Sequence, residues 1–453
     1  MERFRRNKGP LLLPVLCLAA ALLIYLVVNS LWGAASVARQ LSLGQQYLTD
    51  MNYNAAILAF NNAIRTDPVS KEAHIGLAKA YAGTGEYQFA GQMLEDLNQG
   101  PVPDEEISDT LIDIYTDAGE WERVIRLIRE LIDSTDRDEY YDLLQQVLAA
   151  YFDQPHSYGV GTDQRLVLKN GQVLSAGSNS LGQLGVALAA APEQTEAQPL
   201  ADAGFNGTAA RVWCAGRTSL ALDEAGNLWA AGENRWGQMG LAYADGTTRT
   251  GWTCLTDTGD VAAAAGTTGH LLVLRTDGSL WQSGSETGGQ LEPVSRFATV
   301  IQLESSGETV WLLSADGGLY TSSAGDPYTW TRVAEDVLRF GLGPDGGAVW
   351  LASDGGIGSN RYTVEQPEDW TALESGRMQP DFAVRQLAQS ESGLLLTDAA
   401  GTLYLAADGQ CAPVSTASPV ETLYRQGEGV VLELRTGEVQ YWADGDTAPA
   451  PLA

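Results

Sequence analysis

The sequence of 453 residues contains few cysteines, and their placement excludes two kinds of site. The four cysteines are widely spaced and form no C-x-x-C pair, so neither a zinc-binding signature nor a disulfide framework is present. They are Cys17, Cys214, Cys254 and Cys411. A single bridge between Cys214 and Cys254 is one alternative. Buried free thiols are the expectation, because free cysteine behaves as a small apolar side chain.

Histidine is equally scarce, and His74, His156 and His270 do not cluster with cysteines or paired carboxylates. No Gly-x-Ser-x-Gly elbow is present, so no Ser-His-Asp assembly can be drawn. Residues 341–346 satisfy G-x-G-x-x-G, but the stretch contains Pro344 and no helix pattern follows, so it is not a dinucleotide site. The sequence therefore predicts no catalytic residue, no metal site and no cofactor, and the chain is predicted not to be an enzyme.

Basic residues are also few. Lysine and arginine number 27 against 57 aspartates and glutamates, which gives a formal net charge of -30. Nucleic-acid binding needs clustered basic side chains for the phosphates, so the composition excludes nucleic acid as a partner. An acidic surface favours basic or neutral partners and aids solubility through self-repulsion.

Charge is absent from residues 11–36, whereas residues 1–10 form a basic tail. The apolar run at 11–32 would be about 33 Å long as a helix, which matches the hydrocarbon core of a bilayer. It predicts a transmembrane helix with the tail in the cytoplasm and everything after residue 33 outside. The predicted localisation is the cell membrane, single-pass, in a bacterial envelope. A signal peptide cleaved after Ala38 is the alternative.

Residues 37–152 fit a 34-residue period. In the first unit (37–70), the positions that fit are Leu43, Gly44, Tyr47, Ala56, Phe60, Ala63 and Pro68. The units at 71–104 and 105–138 repeat this pattern of small and large residues, and 139–151 is interpreted as a capping helix. The segment resembles the tetratricopeptide family over three repeats.

The tetratricopeptide resemblance implies a concave groove that binds peptides or partner proteins. The residues expected to face this groove are Gln45, Lys79, Asp109 and Asp113. The alternative is that the helical stack is only a spacer between the membrane and the next domain.

Residues 155–453 repeat an apolar strand, a turn glycine and a short second strand. The turn glycines are Gly171, Gly226, Gly278, Gly317, Gly355, Gly401 and Gly437. Such strands suit a pleated, half-buried surface. Sheets repeated radially protect their edges by closing into a ring, so the pattern indicates a β-propeller.

One phrase recurs at 177–185, 232–240 and 284–291, with the form Gly-x-Asn-x-x-Gly-Gln-Leu-Gly in its fullest version. Together with the strands before it, this phrase resembles the regulator of chromosome condensation repeat family. The match is good in the first two units, partial in the third, and reduced to strand–turn–strand in the last four. The resemblance implies seven blades. Some members catalyse nucleotide exchange on a small nuclear GTPase, but no residue here matches that activity. Others are binding modules, so binding is expected.

The predicted fold class is thus multidomain: a transmembrane helix at 11–32, an all-α helical repeat solenoid at 37–152 and an all-β propeller at 155–453. The predicted function is a membrane-anchored, extracytoplasmic, non-enzymatic scaffold for protein partners. Trp236 and Trp252 lie in glycine-rich connections and are further candidates for contact with a partner or a glycan. The rival functions are a carbohydrate or cell-wall lectin, and an envelope enzyme with carboxylates or histidines pointing into the propeller channel.

Overall fold

A computed structural model describes residues 34–100, 102–187, 201–241, 248–323, 326–361, 370–373 and 376–452. The described chain divides into two compact units. Unit 1 contains the described residues up to Glu120 together with Glu130–Asp136, and unit 2 contains Trp121–Arg129 and the residues from Arg137 onwards.

Seven short helices are found in the described part of the chain. They are α1 (34–49), α2 (Tyr53–Thr66), α3 (Lys71–Gly83), α4 (Tyr87–Leu97), α5 (Glu105–Ala118), α6 (Trp121–Thr135) and α7 (Asp138–Tyr151). Polar caps set the starts of α3 and α5: Ser70 accepts a hydrogen bond from the Ala73 amide, and Asp104 accepts one from the Ile107 amide.

Glycine and phenylalanine together set the spacing of the first helices in unit 1. Phe60 of α2 is 2% exposed. A Cβ atom added to Gly44 or Gly76 would lie 2.6 Å or 2.3 Å from the Phe60 ring. Only glycine therefore allows α1 and α3 to approach α2 this closely.

The described part of unit 2 contains seven antiparallel sheets, and in six of them the strands lie in sequence order, whereas in blade 5 the last two strands are exchanged. Blade 1 is β1 (Tyr158–Val160), β2 (Gln164–Lys169), β3 (Gln172–Gly177) and β4 (Ala201–Asp202). Blade 2 is β5 (Ala209–Ala215), β6 (Thr218–Asp223), β7 (Leu228–Glu233) and β8 (Thr248–Cys254). Blade 3 is β9 (Val261–Thr267), β10 (His270–Arg275), β11 (Leu280–Gly284) and β12 (Glu292–Pro293).

The remaining four blades follow the same plan. Blade 4 is β13 (Val300–Ser306), β14 (Thr309–Ser314), β15 (Leu319–Ser323) and β16 (Asp326–Ala334). Blade 5 is β17 (Val337–Leu342), β18 (Ala348–Ala352), β19 (Ile357–Ser359), β20 (Thr371–Ala372) and β21 (Met378–Gln379). Blade 6 is β22 (Val384–Ser390), β23 (Gly393–Asp398), β24 (Leu403–Ala407) and β25 (Gln410–Val414), and blade 7 is β26 (Val420–Gln426), β27 (Gly429–Leu434), β28 (Val439–Ala443) and β29 (Ala450–Pro451).

The first strands of neighbouring blades contact one another around a ring, and apolar cores fill the spaces between blades. For example, Leu220 and Leu228 of blade 2 pack with Leu271 and Val273 of blade 3. This arrangement is a seven-bladed β-propeller, and the predicted blade count is confirmed.

The turn glycines explain how the sequence specifies each blade. All seven predicted turn glycines connect the second and third strands of a blade, and their φ angles lie between 76° and 85°. A side chain disfavours this left-handed conformation, so glycine is required at each tight hairpin.

The ring closes by contact between the first and last blades, without exchange of a strand between them. The Tyr424 hydroxyl accepts hydrogen bonds from the amides of Ser157 (3.1 Å) and Tyr158 (3.2 Å), and donates one to Glu433 (2.6 Å). The rings of Tyr158 and Tyr441 add an edge-on contact, with centroids 5.7 Å apart. Closure therefore depends on buried side chains from both ends of the propeller sequence.

The predicted fold class is wrong in its first two parts. Among the described residues, no helix is long and apolar enough to cross a membrane, and the predicted span at 11–32 lies outside them. The predicted tetratricopeptide solenoid at 37–152 is also not supported. The first part of α6 and all of α7 belong to unit 2, because polar side chains on α6 bond to the propeller, as described below. The structure has seven short helices followed by the propeller.

Candidate functional site

The loops of the propeller emerge on two opposite faces. Neighbouring strands within a blade run in opposite directions, so the links after the first and third strands share one face, and the remaining links share the other. We call the first the loop face; it carries the phrases at 177–185 and 232–240. We call the second the helix face, because Arg123 and Arg126 of α6 donate hydrogen bonds there to the carbonyls of Ser353 (2.7 Å) and Val337 (3.1 Å).

On the loop face, the first phrase forms a loop that is held by its own side chains. Asn179 Oδ1 accepts from the Leu184 amide (3.0 Å), and its Nδ2 donates to the Val186 carbonyl (3.2 Å). Gln183 Oε1 accepts from the Leu181 amide (2.8 Å). Both polar side chains are buried, at 2% and 0% exposure. The asparagine and glutamine of the phrase therefore fix the loop.

The same glutamines link successive blades. The Ser219 hydroxyl of blade 2 donates to the Gln183 carbonyl (2.6 Å). Gln238 of the second phrase donates from Nε2 to the Thr268 carbonyl of blade 3 (3.1 Å), and Ser283 donates to the Gln238 carbonyl (2.6 Å). In the partial third phrase the corresponding Gln290 is exposed. The repeated phrase thus has a structural role in holding neighbouring blades together.

Trp236 is the exposed aromatic residue of the second phrase, with 45% of its surface accessible. Its backbone amide donates to Gln238 Oε1 (2.9 Å), and its indole lies against Gly269 in the next blade. Beside it, Arg235 has 62% of its side chain exposed and lies 3.5 Å from the buried Glu233 carboxylate. The structure therefore holds a tryptophan and an arginine side by side on a fixed loop.

Trp252 lies in β8 and packs inside the propeller wall. Its indole Nε1 donates to the Ala203 carbonyl (2.9 Å), and its ring meets Phe205 edge-on at 5.3 Å. A Cβ on Gly185 would lie 2.3 Å from that nitrogen. The contacts of Trp252 stabilise the junction of blades 1 and 2, and the structure does not bring it together with Trp236.

The other four predicted partner-binding residues lie in unit 1. Gln45 is on α1, Lys79 on α3, and Asp109 and Asp113 on α5, and all four are exposed. They lie on the first helix of each predicted repeat. Their binding role, like that of Trp236 and Trp252, stays a prediction.

On the helix face, a buried ion pair connects α6 to blade 5. Arg339 Nη2 lies 2.6 Å from Glu122 Oε2, with the two side chains 16% and 6% exposed. The Tyr151 hydroxyl of α7 donates to the other Glu122 oxygen (3.3 Å). Burial raises the pKa of Tyr151 well above its ordinary value, and the Glu122 carboxylate acts in the same direction. All three residues of this network line one cavity.

That cavity has a volume of about 160 Å³, and we call it the channel cavity. The first strands of blades 2 to 7 line it, together with α6, α7 and the segment before β1. Its ionisable and polar side chains are Glu122, Tyr151, Gln154, His156, Arg211, Gln302, Glu304, Arg339, Gln386, Thr422 and Tyr424. Four buried atoms there have no hydrogen-bond partner in the described ranges: His156 Nε2, Gln386 Oε1, Thr422 Oγ1 and Arg339 Nε.

His156 is held as a neutral ring. Its Nδ1 lies 2.7 Å from the Val212 carbonyl, and the ring stacks on Tyr424 at 4.3 Å. Because a carbonyl only accepts, Nδ1 carries the proton and Nε2 presents a lone pair. Burial lowers the pKa of His156 to about 4, so this tautomer persists at neutral pH.

Glu304 is the carboxylate of the channel cavity that has no cationic partner among the described residues. It lies on β13, surrounded by protein but still in contact with the cavity. Burial raises the pKa of Glu304 to about 7, and a hydrogen bond from Gln302 opposes the shift. The carboxyl group therefore changes charge near neutral pH.

The sequence analysis did not single out Glu122, Glu304, Arg339 or Thr422. One signal was available for Glu304: it is the single charged residue within the otherwise neutral strand Val300–Ser306. No comparable signal pointed to Glu122 on its amphipathic helix. Of the histidines, His156 lines the cavity, whereas His270 is fully buried in blade 3 and burial lowers its pKa to about 4.

These observations define the class: a seven-bladed propeller with a fixed loop face and a polar cavity at the opposite end of its channel. The sequence matches no protein-family model and no curated protein. Solved structures share the fold. Prp20p from Saccharomyces cerevisiae is similar at a TM-score of 0.50 and 14% identity, over 68% of this chain and 89% of that one.

Two further structures show the same type of likeness. Yeast RCC1 (Prp20) in complex with Kap60 gives a TM-score of 0.49 at 14% identity, over 68% of this chain and 86% of that one. YCF48 bound to D1 peptide gives a TM-score of 0.39 at 12% identity, over 65% of this chain and 94% of that one. At 14% identity, the likeness to Prp20p establishes the fold alone.

Proposed function

We propose that this protein is a non-enzymatic scaffold that binds protein partners through the loop face of its propeller. Prp20p, which shares the fold, has binding properties toward Gsp1p and histones. We bring only protein binding from that comparison to this chain. The net charge of -30 favours a basic or neutral partner surface.

The observation that carries this proposal is the fixed pair of Arg235 and Trp236. Tryptophan and arginine are the residues most enriched among those that dominate binding energy at protein interfaces. A rigid loop lowers the entropy lost on association. Here the loop is already fixed by Gln238 and by the contact of the indole with Gly269.

The test is cross-linking in intact cells that express the full chain, followed by mass spectrometry of the captured proteins. We expect Trp236→Ala to lose a defined set of partners that the unchanged protein captures. The matched control is Tyr141→Ala, because Tyr141 on α7 is 43% exposed. Equal capture by both variants would exclude the loop face, and no specific capture by the unchanged protein would exclude the scaffold.

A glycan remains the alternative ligand for the loop face. A peptidoglycan pull-down with the same two variants separates the two ideas. Retention that depends on Trp236 in this assay, with no protein captured in cells, would favour the lectin. Trp252 supports the lectin less well, because its indole nitrogen already donates to Ala203.

The alternative function as an enzyme would have to use the channel cavity, which is lined by Glu122, Glu304 and His156. Glu122 already binds Arg339 and Tyr151, and the His156 proton is donated to the Val212 carbonyl. No nucleophile is paired with a base across the described part of the cavity, as covalent or general-base catalysis would need. This arrangement favours binding over catalysis.

Location is a separate part of the proposal: we infer that both units lie outside the cytoplasm. The support is the sequence of residues 1–36, in which a basic cluster precedes a long uncharged run. A protease added to whole cells should then digest the units. Protection in whole cells, with digestion only after lysis, would place them in the cytosol.

A further inference from the structure

We propose that the channel cavity binds an alkylammonium group, either the side chain of a lysine in a peptide or a free aliphatic amine. This site is on the helix face, away from Trp236, and it does not depend on the scaffold function. The argument rests on which atoms of the lining have no partner, on the charge balance, and on the aromatic wall.

Three of the four polar atoms without partners can accept hydrogen bonds, and the fourth, Arg339 Nε, is a donor on a guanidinium already paired with Glu122. His156 Nε2 presents a lone pair, because Nδ1 donates to Val212. Gln386 Oε1 is an acceptor, since the Nε2 of that amide donates to the Glu421 carbonyl (3.1 Å). Thr422 is 8% exposed, and its buried hydroxyl accepts as well as donates. An ammonium group, which has three donors and no acceptor, matches this set.

The charges of the cavity favour a cation. Arg339 is paired with Glu122, and Arg211 donates to the Ala262 carbonyl (2.8 Å) and lies 3.5 Å from Asp153. Each arginine therefore has its own carboxylate. Glu304 remains, and an ammonium group would supply the counter-charge that its ionised form lacks.

The wall of the cavity suits the alkyl part of the ligand. Trp213, Phe340 and Leu423 line it alongside Tyr424, on which the His156 ring stacks. An aliphatic stem packs on such apolar surfaces while its charged end reaches the polar atoms.

Binding should be linked to the ionisation of Glu304. The titratable and charged groups that face it across the cavity are Glu122 on α6, Tyr151 on α7, His156 before β1, Arg211 on β5, Arg339 on β17 and Tyr424 on β26. Of these, His156 titrates near pH 4 and the tyrosines above the neutral range. Between pH 6 and 8 the carboxyl of Glu304, with its pKa of about 7, is the group that changes.

The experiment is titration calorimetry of the full chain with n-butylammonium chloride and, separately, with an Nα-acetylated lysine-containing peptide. Because ligand binding requires the carboxylate, we expect affinity to rise about tenfold from pH 6 to pH 8. Glu304→Gln should weaken binding about tenfold or more at pH 8. The control is Glu224→Gln, the same substitution at an exposed turn of blade 2.

Thr422→Val provides a second variant if Glu304→Gln does not fold, and it should weaken binding several-fold. If the peptide alone binds, the site recognises a lysine of a partner. If both probes bind, the site recognises aliphatic amines in general. The proposal is overturned if neither probe binds, if sodium butyrate binds as well as butylammonium, or if Glu224→Gln weakens binding as much as Glu304→Gln. Trp236→Ala should leave amine binding unchanged, which separates this outcome from the scaffold test.

Discussion

The two faces of the propeller differ in how the polar side chains of their main features are used. On the loop face, Asn179, Gln183 and Gln238 bond to atoms of their own loop or the next blade. On the helix face, the channel cavity gathers side chains from α6, α7 and the first strands of blades 2 to 7. Some of their buried atoms, such as Thr422 Oγ1, have no partner among the described residues.

This difference separates polar groups that build the fold from polar groups that remain for a ligand. A buried polar atom without a partner lowers stability, so natural structures contain few of them, and those present call for an explanation. The loop face has a recognisable phrase because the same local loop structure occurs in successive blades. The helix face has no phrase, because its cavity is assembled once from distant residues.

The largest expected effect is on the helix face, at the buried pair of Glu122 and Arg339. Arg339→Leu leaves the Glu122 carboxylate buried without its cation and should lower the free energy of unfolding by about 3–5 kcal/mol. Urea unfolding followed by tryptophan fluorescence measures this change, because ten of the 12 tryptophans lie between residues 213 and 442.

The matched control is Arg332→Leu. Arg332 lies 2.9 Å from Glu335, with the two side chains 41% and 68% exposed, so its loss should change stability by less than about 1 kcal/mol. The double variant Glu122→Gln/Arg339→Leu should recover much of the loss, since no unpaired charge remains. Equal effects of Arg339→Leu and Arg332→Leu would show that this pair does not hold α6 to the propeller.

The second prediction concerns Glu304 and pH. Its pKa of about 7 in the folded protein exceeds the ordinary value of 4.5, so the folded state retains a proton that the unfolded state has lost. Its contribution to stability is therefore present below pH 4.5 and is lost as pH rises through 7. Glu304→Gln should become more stable relative to the unchanged protein between pH 5 and 8, by at most about 3 kcal/mol.

Urea unfolding of both proteins at pH 5 and pH 8 measures that relative change. The buried His156 and His270 titrate in both proteins, so their contributions cancel in the difference. A difference that is the same at both pH values would mean that Glu304 ionises normally in the folded state.

The sequence predicted the propeller because each blade needs glycine at one position. A left-handed turn between the second and third strands has few alternatives to glycine, as at Gly226 and Gly401, so the repeat survives in blades that have lost the longer phrase. The helical region was predicted less accurately. Its 34-residue period gave no sign that Glu122 and Arg126 on α6 face the propeller.

The channel cavity could not be predicted because its residues share no local pattern. Glu304 on β13 and Gln386 on β22 both line the cavity, although their blades are not neighbours in the ring. Sequence spacing carries no information about which side chains meet in the middle of a propeller. The loop face was different, since the phrase itself placed Trp236 beside a fixed turn.

The third prediction compares two glutamines at the same position of the phrase. Gln238 is 1% exposed and bonds to the Trp236 amide and the Thr268 carbonyl. Gln238→Ala should lower the free energy of unfolding by about 2 kcal/mol, because two backbone groups lose their partner. Gln290 is exposed, and Gln290→Ala should change the free energy of unfolding by less than about 0.5 kcal/mol. Similar losses in urea unfolding would show that the phrase does not link blades.

The smallest expected effects on stability are those of conservative changes at Trp252 and Trp236. Trp252→Phe removes the indole donor from the Ala203 carbonyl and should lower the free energy of unfolding by about 1 kcal/mol. Trp236→Phe keeps the aromatic contact with Gly269 at an exposed position, so its effect should stay within about 0.5 kcal/mol. Thermal unfolding of both variants measures the difference. A larger loss for Trp236→Phe would make that side chain part of the framework of the loop face, and its exposure would then no longer argue for a partner.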